Sequence, residues 1–217
     1  MPALRGSLTY ARFFVEGTLP DDFSGRFMKA IRLRAMKPLE PDSEELERSG
    51  WAKIGEPFVI ELDHTDVFYN EYVNLTFRTD RWAIPGAMLK TKVRDAEQAY
   101  LQKKGREKLS RSEKKELKEM TAKKLRRQVD PATRAFDLSW SLNEGIVRFF
   151  SHAQKPAGLM TELFEKTFSL KLIPESPYTA AAKLGLSKAQ EAAWQELEMI
   201  ALGGPRERIT DEAAEEE

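Results

Sequence analysis

Residues 136–150 read FDLSWSLNEGIVRFF. Two apolar-rich runs, 136–140 and 146–150, flank Asn143-Glu144-Gly145, and a glycine there supplies the backbone freedom that a tight turn between strands needs. This is a β-hairpin signal, and it makes the local sheet antiparallel. Other segments extend the reading upstream. Residues 6–17 carry Leu8, Tyr10, Phe13, Phe14 and Val15 and predict a first strand. Residues 58–62 (FVIEL) predict another, with His64-Thr65-Asp66 as the turn after it. Residues 67–78 (VFYNEYVNLTFR) alternate well enough for a further strand, closing at Trp82-Ala83-Ile84-Pro85. Downstream, residues 169–173 form a short strand ended by Pro174.

Helical spacing falls between these strands. Asp21 or Asp22 caps a helix through Phe23, Phe27, Ala30 and Ile31. Residues 42–47 (DSEELE) read as a short acidic helix ending at Gly50, before Trp51. Leu89, Val93, Ala96 and Tyr100 lie at helical spacing over residues 86–104, as do Leu159, Leu163 and Phe164 over 155–168. A last helix over 187–202 carries Ala189, Ala192, Ala193, Leu197 and Ile200 and stops at Gly203-Gly204-Pro205. Strands and helices without regular β-α alternation predict an α+β fold with largely antiparallel sheet. At 217 residues, 41% apolar with 12 Phe, the chain can bury a real core. Residues 1–204 read as one domain with a basic helical segment at 86–127, and 205–217 as a disordered acidic tail.

The charge is unevenly placed. The formal net charge is zero, yet residues 103–127 (KKGREKLSRSEKKELKEMTAKKLRR) hold 12 Lys/Arg against 4 Glu. A surface polarised in this way attracts polyanions and holds phosphates by displacing their counterions. The Ser110-x-x-Glu113 capping box predicts a helix from Arg111 to about Arg127. On that helix Arg111, Lys114, Lys115, Lys118 and Arg126 share an acid-free arc of about 120°. Leu117, Met120 and Leu125 form the apolar stripe that docks it. Lys103, Lys104, Arg106, Lys108, Arg111, Lys114, Lys115, Lys118 and Arg126 are therefore the candidate DNA-binding residues. The partner expected is double-stranded DNA, because no aromatic residues interleave with the basic run.

Catalysis finds little footing. No GxxxxGK[ST] or GxGxxG occurs. His64 reads as a turn residue and His152 as a loop residue, with no partnered serine evident for either. Glu116 and Lys118 would project about 200° apart on a helix and do not converge on a metal. Trp51, Trp82, Trp140 and Trp194 read mainly as core. The chain has no cysteine and no 18-residue apolar stretch, and its first residues lack a secretory signal pattern. The expectation is a cytoplasmic, nucleoid-associated protein that is not an enzyme, takes no cofactor or metal and does not enter a membrane. Two alternatives stay open: a protein-interaction module whose basic helix docks an acidic partner or the acidic tail, and a metal-dependent nuclease acting with a partner.

Several features fall in an order that resembles the bacterial recombination-associated RdgC family. A strand and helix lead to Gly50-Trp51. Strands then lead to Ile84-Pro85, which opens a helix, and Lys114-Lys115-Glu116-Leu117-Lys118 follows. Trp140, a turn at Gly145, a strand, a helix and Leu172-Ile173-Pro174 complete the order over about residues 7–180. The resemblance implies an α+β protein that pairs two-fold into a ring-type homodimer. Duplex DNA would thread its positive hole without strong sequence preference, and the family is associated with limiting RecA-promoted strand exchange by the recombination machinery. The chain departs from the family pattern in two places. Longer members continue well beyond the equivalent of Pro174, and they commonly carry Leu-Pro-Arg where this chain has Leu125-Arg126-Arg127.

Overall fold

A computed structural model of the chain describes residues 9–196. Its centre is an antiparallel sheet of seven strands: β1 (Ala11–Glu16), β2 (Glu47–Ala52), β3 (Phe68–Tyr69), β4 (Tyr72–Arg81), β5 (Ala132–Ser141), β6 (Ile146–Phe149) and β7 (Lys171–Pro174). The spatial order is β2-β4-β5-β6-β1-β7, with β3 paired on β4. The 136–150 hairpin forms as read. Trp140 faces Val147, Ser141 faces Ile146, and Gly145 takes φ 63° in the turn. The sheet's longest ladder joins β4 to β5 from Tyr72↔Ser141 to Arg81↔Ala132.

Helices α1 (Phe23–Leu33) and α5 (Gln154–Phe168) contribute Phe27, Met28, Ile31, Met160, Phe164 and Phe168 to one core with the strands' Trp51, Leu75, Phe77, Leu138, Trp140 and Phe149. Phe168 is the hub, with ring centroids at 4.5 Å from Phe164, 4.9 Å from Phe27 and 5.2 Å from Trp140. Trp51, Trp82 and Trp140 are buried, as read. Asp22 stands at the N-cap of α1, but its side chain makes no capping hydrogen bond.

Several expectations are corrected. Residues 42–46 form a turn and bends rather than an acidic helix, and β2 begins at Glu47. Glu45 instead grips Arg48, while Ser43 Oγ accepts the Glu45 N–H at 3.0 Å. Pairing of Glu47 with Arg81 on β4 begins a strand at the point where the helix was expected to end, and this tertiary context outweighs local helical propensity. Residues 58–62 are not a strand. Phe58 is 71% exposed and lies under the Arg78 guanidinium, 4.7 Å from ring centroid to Cζ. The expected strand over 67–78 is a hairpin, β3 to β4, because Asn70 takes φ 52°, a region Asn tolerates. His64-Thr65-Asp66 lie in a short helix, α2 (His64–Val67).

The chain divides into two compact units, one through Glu175 and one from Ser176. The second contains α6 (Pro177–Lys183) and α7 (Lys188–Gln195), which start at Ser176 and Ser187. Each serine hydroxyl accepts the backbone N–H three residues on, at 3.1 and 3.4 Å. The sequence reading missed α6. The rest of the helix read to residue 202, and the acidic tail, lie outside the described residues.

Candidate nucleic-acid interface

Between β4 and β5 the chain leaves the sheet as two helices, α3 (Gly86–Lys104) and α4 (Arg111–Arg126). Their principal packing partner is each other. No residue of α3 is fully buried, and in α4 only Leu125 is. Leu89, Val93, Ala96 and Tyr100 are half-buried along one side of α3, the stripe the spacing predicted. On α4 the stripe is corrected. Leu125 is buried and Leu117 half-buried, but Met120 is 67% exposed and Thr121 takes the inward position. The result is a helical arm. With 19 residues, α3 is about 28 Å long at 1.5 Å per residue.

The arm's tip is built locally. Gly105 ends α3 with φ 61°, the left-handed C-cap that glycine adopts at least cost. The capping box of α4 forms as read: Ser110 Oγ accepts the Glu113 N–H at 3.2 Å, and Glu113 Oε2 accepts the Ser110 N–H at 2.8 Å. Glu113 Oε1 also accepts from Arg106 at 2.9 Å and from the Tyr100 hydroxyl at 3.4 Å. One carboxylate thus ties α3, the connecting loop and the start of α4 together. The Ser110 backbone bond, then the Ser110 hydroxyl and the Arg106 charge, hold its pKa below the usual glutamate range.

Six of the nine candidate cations gather at this tip. Lys103 and Lys104 end α3, Arg106 and Lys108 lie in the loop, and Arg111 and Lys114 open α4. All six are exposed. Only Arg106 has a carboxylate partner among the described residues. The other three lie further back. Lys115 approaches Glu119 at 4.0 Å, and Lys118 is exposed with no ion pair among the described residues. Arg126 stands at the opposite end of α4, about 22 Å along the axis from Arg111, where its NH1 donates to the Ser43 carbonyl at 2.9 Å.

The acid-free arc is therefore divided. Arg111 and Lys114 serve the tip, while Lys115, Lys118 and Arg126 line a groove against Glu44 and Leu46. Lys123, outside the arc on a helical wheel, lines the same groove, because its wall is the 44–46 segment. The helix that the sequence predicts over 42–47 offers no such wall; the extended 44–46 segment does. Next to it Arg127 binds Asp42 through two parallel hydrogen bonds, Nε to Oδ1 at 3.2 Å and NH2 to Oδ2 at 2.8 Å. That bond holds the Asp42 carboxyl below its usual range.

His64 has a partner the sequence did not reveal. Its Nε2 is 2.8 Å from Ser24 Oγ, and its ring stacks on Phe68 at 4.6 Å. The pair is exposed, and no carboxylate among the described residues hydrogen-bonds the ring, so it lacks the third group that orients a catalytic base. His152 is exposed in the loop before α5. Among the described residues no group of three His, Asp or Glu could hold a metal ion, and no helix is long and apolar enough to cross a membrane. No family model matches the chain, and no curated protein matches it.

Proposed function

We propose that the chain is a non-enzymatic, sequence-tolerant duplex-DNA-binding protein of the RdgC type that meets the phosphate backbone with its α3–α4 arm. The observation that carries this reading is the tip, where six exposed cations outnumber two carboxylates, the exposed Glu107 and Glu113, which ties the tip together. Lysines and arginines without internal partners release DNA counterions when they meet phosphates. Phosphate contacts position a protein without reading bases, which accounts for sequence tolerance. The ordered motifs of the RdgC type add a two-fold dimer bringing two arms to one duplex, a place on the nucleoid and a brake on RecA. Titration of random-sequence duplex across a salt series tests the reading. Four to eight phosphate contacts per dimer give a slope of log K on log[salt] of roughly −4 to −7. Absent binding, or binding indifferent to salt, rejects it. Solution mass tests the dimer separately.

The groove favours a second reading. Leu46 is 54% exposed beside Ala122, and Lys115, Lys118, Lys123 and Arg126 around it outnumber Glu44 and Glu119. An acidic partner segment with an apolar residue suits that lining. On this reading an acidic peptide binds and random duplex does not.

A further inference from the structure

Arg34 stands apart from the other half-buried arginines. Arg48 holds Glu45, Arg78 holds Asp80, Arg148 holds Glu144, and Arg126 reaches the Ser43 carbonyl. The Arg34 guanidinium has no such partner among the described residues, and its nitrogens remain open to solvent. Its backbone, by contrast, is fixed. Arg34 closes α1, and its carbonyl accepts the Trp51 N–H at 2.9 Å. The side chain borders a hollow between α1 and the end of α5, together with Arg26 and Lys166. Arg26, Ala30 and Arg34 follow one another at a spacing of four, so they share one side of α1 with a small residue in the middle. The two arginine Cα atoms stand about 12 Å apart along the axis, a gap that their long side chains can close over Ala30. Lys166 comes from the other wall, the last turn of α5, and Thr18 and Ser169 add hydroxyls.

The charged side chains around this hollow are of one sign, since no Asp or Glu borders it. Glu16, Asp21 and Asp22 flank the Thr18–Pro20 loop in the chain but do not reach the hollow. Glu165 Oε1 accepts the Leu172 N–H at 3.3 Å. Glu162 meets Lys166 at 3.6 Å, but with the two side chains 66% and 68% exposed water weakens that pair. The carbonyl ends of α1 and α5 each add about half a negative charge, which still leaves a positive excess over the three cations' partners. A carboxylate has two oxygens in one plane and is satisfied by one guanidinium fork. A phosphate carries more oxygens and more charge, and can meet cations that arrive from two helices. We propose that the hollow between α1 and α5 is a seat for an oxyanion of the phosphate class, held by Arg26, Arg34 and Lys166. The seat does not depend on the duplex reading, because a free phosphate fills it as well as a backbone phosphate does.

The test uses the ¹⁵N-labelled full chain and follows the backbone amides of Ala30, Lys166 and Ser169. Inorganic phosphate is titrated against chloride and acetate at equal ionic strength and pH, and a short duplex is titrated separately. The three amides should shift together and saturate. R34K keeps the charge but loses the fork and should weaken phosphate about tenfold; R34Q should weaken it further. K29Q removes a charge from the same helix outside the hollow and should bind as the parent does. Saturable shifts with phosphate alone identify a free anion as the source, and shifts with duplex alone identify the nucleic-acid backbone. The seat is overturned if neither additive moves the amides, if chloride or acetate moves them equally, if R34Q responds like the parent, or if K29Q loses as much as R34Q. Duplex that binds by anisotropy while the three amides stay unmoved by either additive removes the seat and leaves the arm-tip reading standing.

Discussion

The indole N–H of Trp51 donates to Thr167 Oγ1 across 2.9 Å, and that hydroxyl donates in turn to the Leu163 carbonyl at 2.6 Å. This relay joins β2 to α5 inside the core, with Trp51 fully buried. T167V keeps the shape but leaves the indole N–H unpaired, and should cost about 1–3 kcal/mol. T167S should recover most of the loss. Urea denaturation reads both, and a T167V variant as stable as the parent would show that the relay contributes nothing.

Gly50 sets how closely β2 approaches the chain after α1. A Cβ there would stand 2.5 Å from the Met36 Cα and 2.7 Å from its nitrogen, both backbone atoms. The Met36 N–H donates to the Trp51 carbonyl at 2.7 Å and the Trp51 N–H to the Arg34 carbonyl at 2.9 Å, so that backbone has little room to retreat. G50A should therefore destabilise the protein by about 1–3 kcal/mol, as overpacking does. The thermal midpoint of G50A, set beside that of G86A where nothing lies within 4 Å, is the check.

Neutralising Lys103, Lys104 and Lys108 together should flatten the salt slope of duplex binding by about 0.9 for each phosphate contact removed, evenly across DNA sequences. Neutralising Lys123 and Lys124 should change it less, since Lys123 is half-buried in the groove rather than at the tip. Stability should stay within about 0.5 kcal/mol of the parent in both. Equal losses per lysine removed in the two sets would mean that only total charge matters.

Acid should loosen the tip. The Glu113 carboxyl is held below its usual range, chiefly by the Ser110 backbone N–H. A depressed folded pKa contributes stability that is complete above the unfolded value, about 4.3, and is lost as pH falls through the lower folded value. Amide signals of Ser110 to Lys114 should hold steady at neutral pH and shift or broaden below pH 4. E113Q should abolish that dependence. An unchanged acid titration in E113Q would place the sensitive group elsewhere.

Elements whose signal is local were legible in the sequence. Ser110 and Glu113 announce the start of α4 and Gly145 the β5–β6 turn, because each acts through its immediate neighbours. Elements defined by distant partners were not. Residues 47–52 (ERSGWA) have no strand-like alternation and become β2 only by pairing with β4 and the 34–36 backbone. Phe58, Val59 and Ile60 read as a strand but find no partner in the sheet. Lys123 lines the groove, and Arg126 lies far from the tip although it shares an arc with Arg111, for reasons that lie in the 42–46 segment and the length of the helix. A helical wheel records neither.

The arm also bears on how the chain assembles. The β4–β5 ladder is the longest in the sheet, yet its strands are joined through residues 82–131 rather than a tight turn. As open coil, that connection would burden strand pairing with a large loop-closure entropy. The α3–α4 pair rests on sequence-local contacts, which form quickly. Once zipped, it brings Arg81 and Ala132 close together as a two-residue turn would. The arm thereby acts as an intramolecular clamp for its own sheet, and substitutions that loosen α3 against α4 should slow refolding even where they leave the finished fold intact.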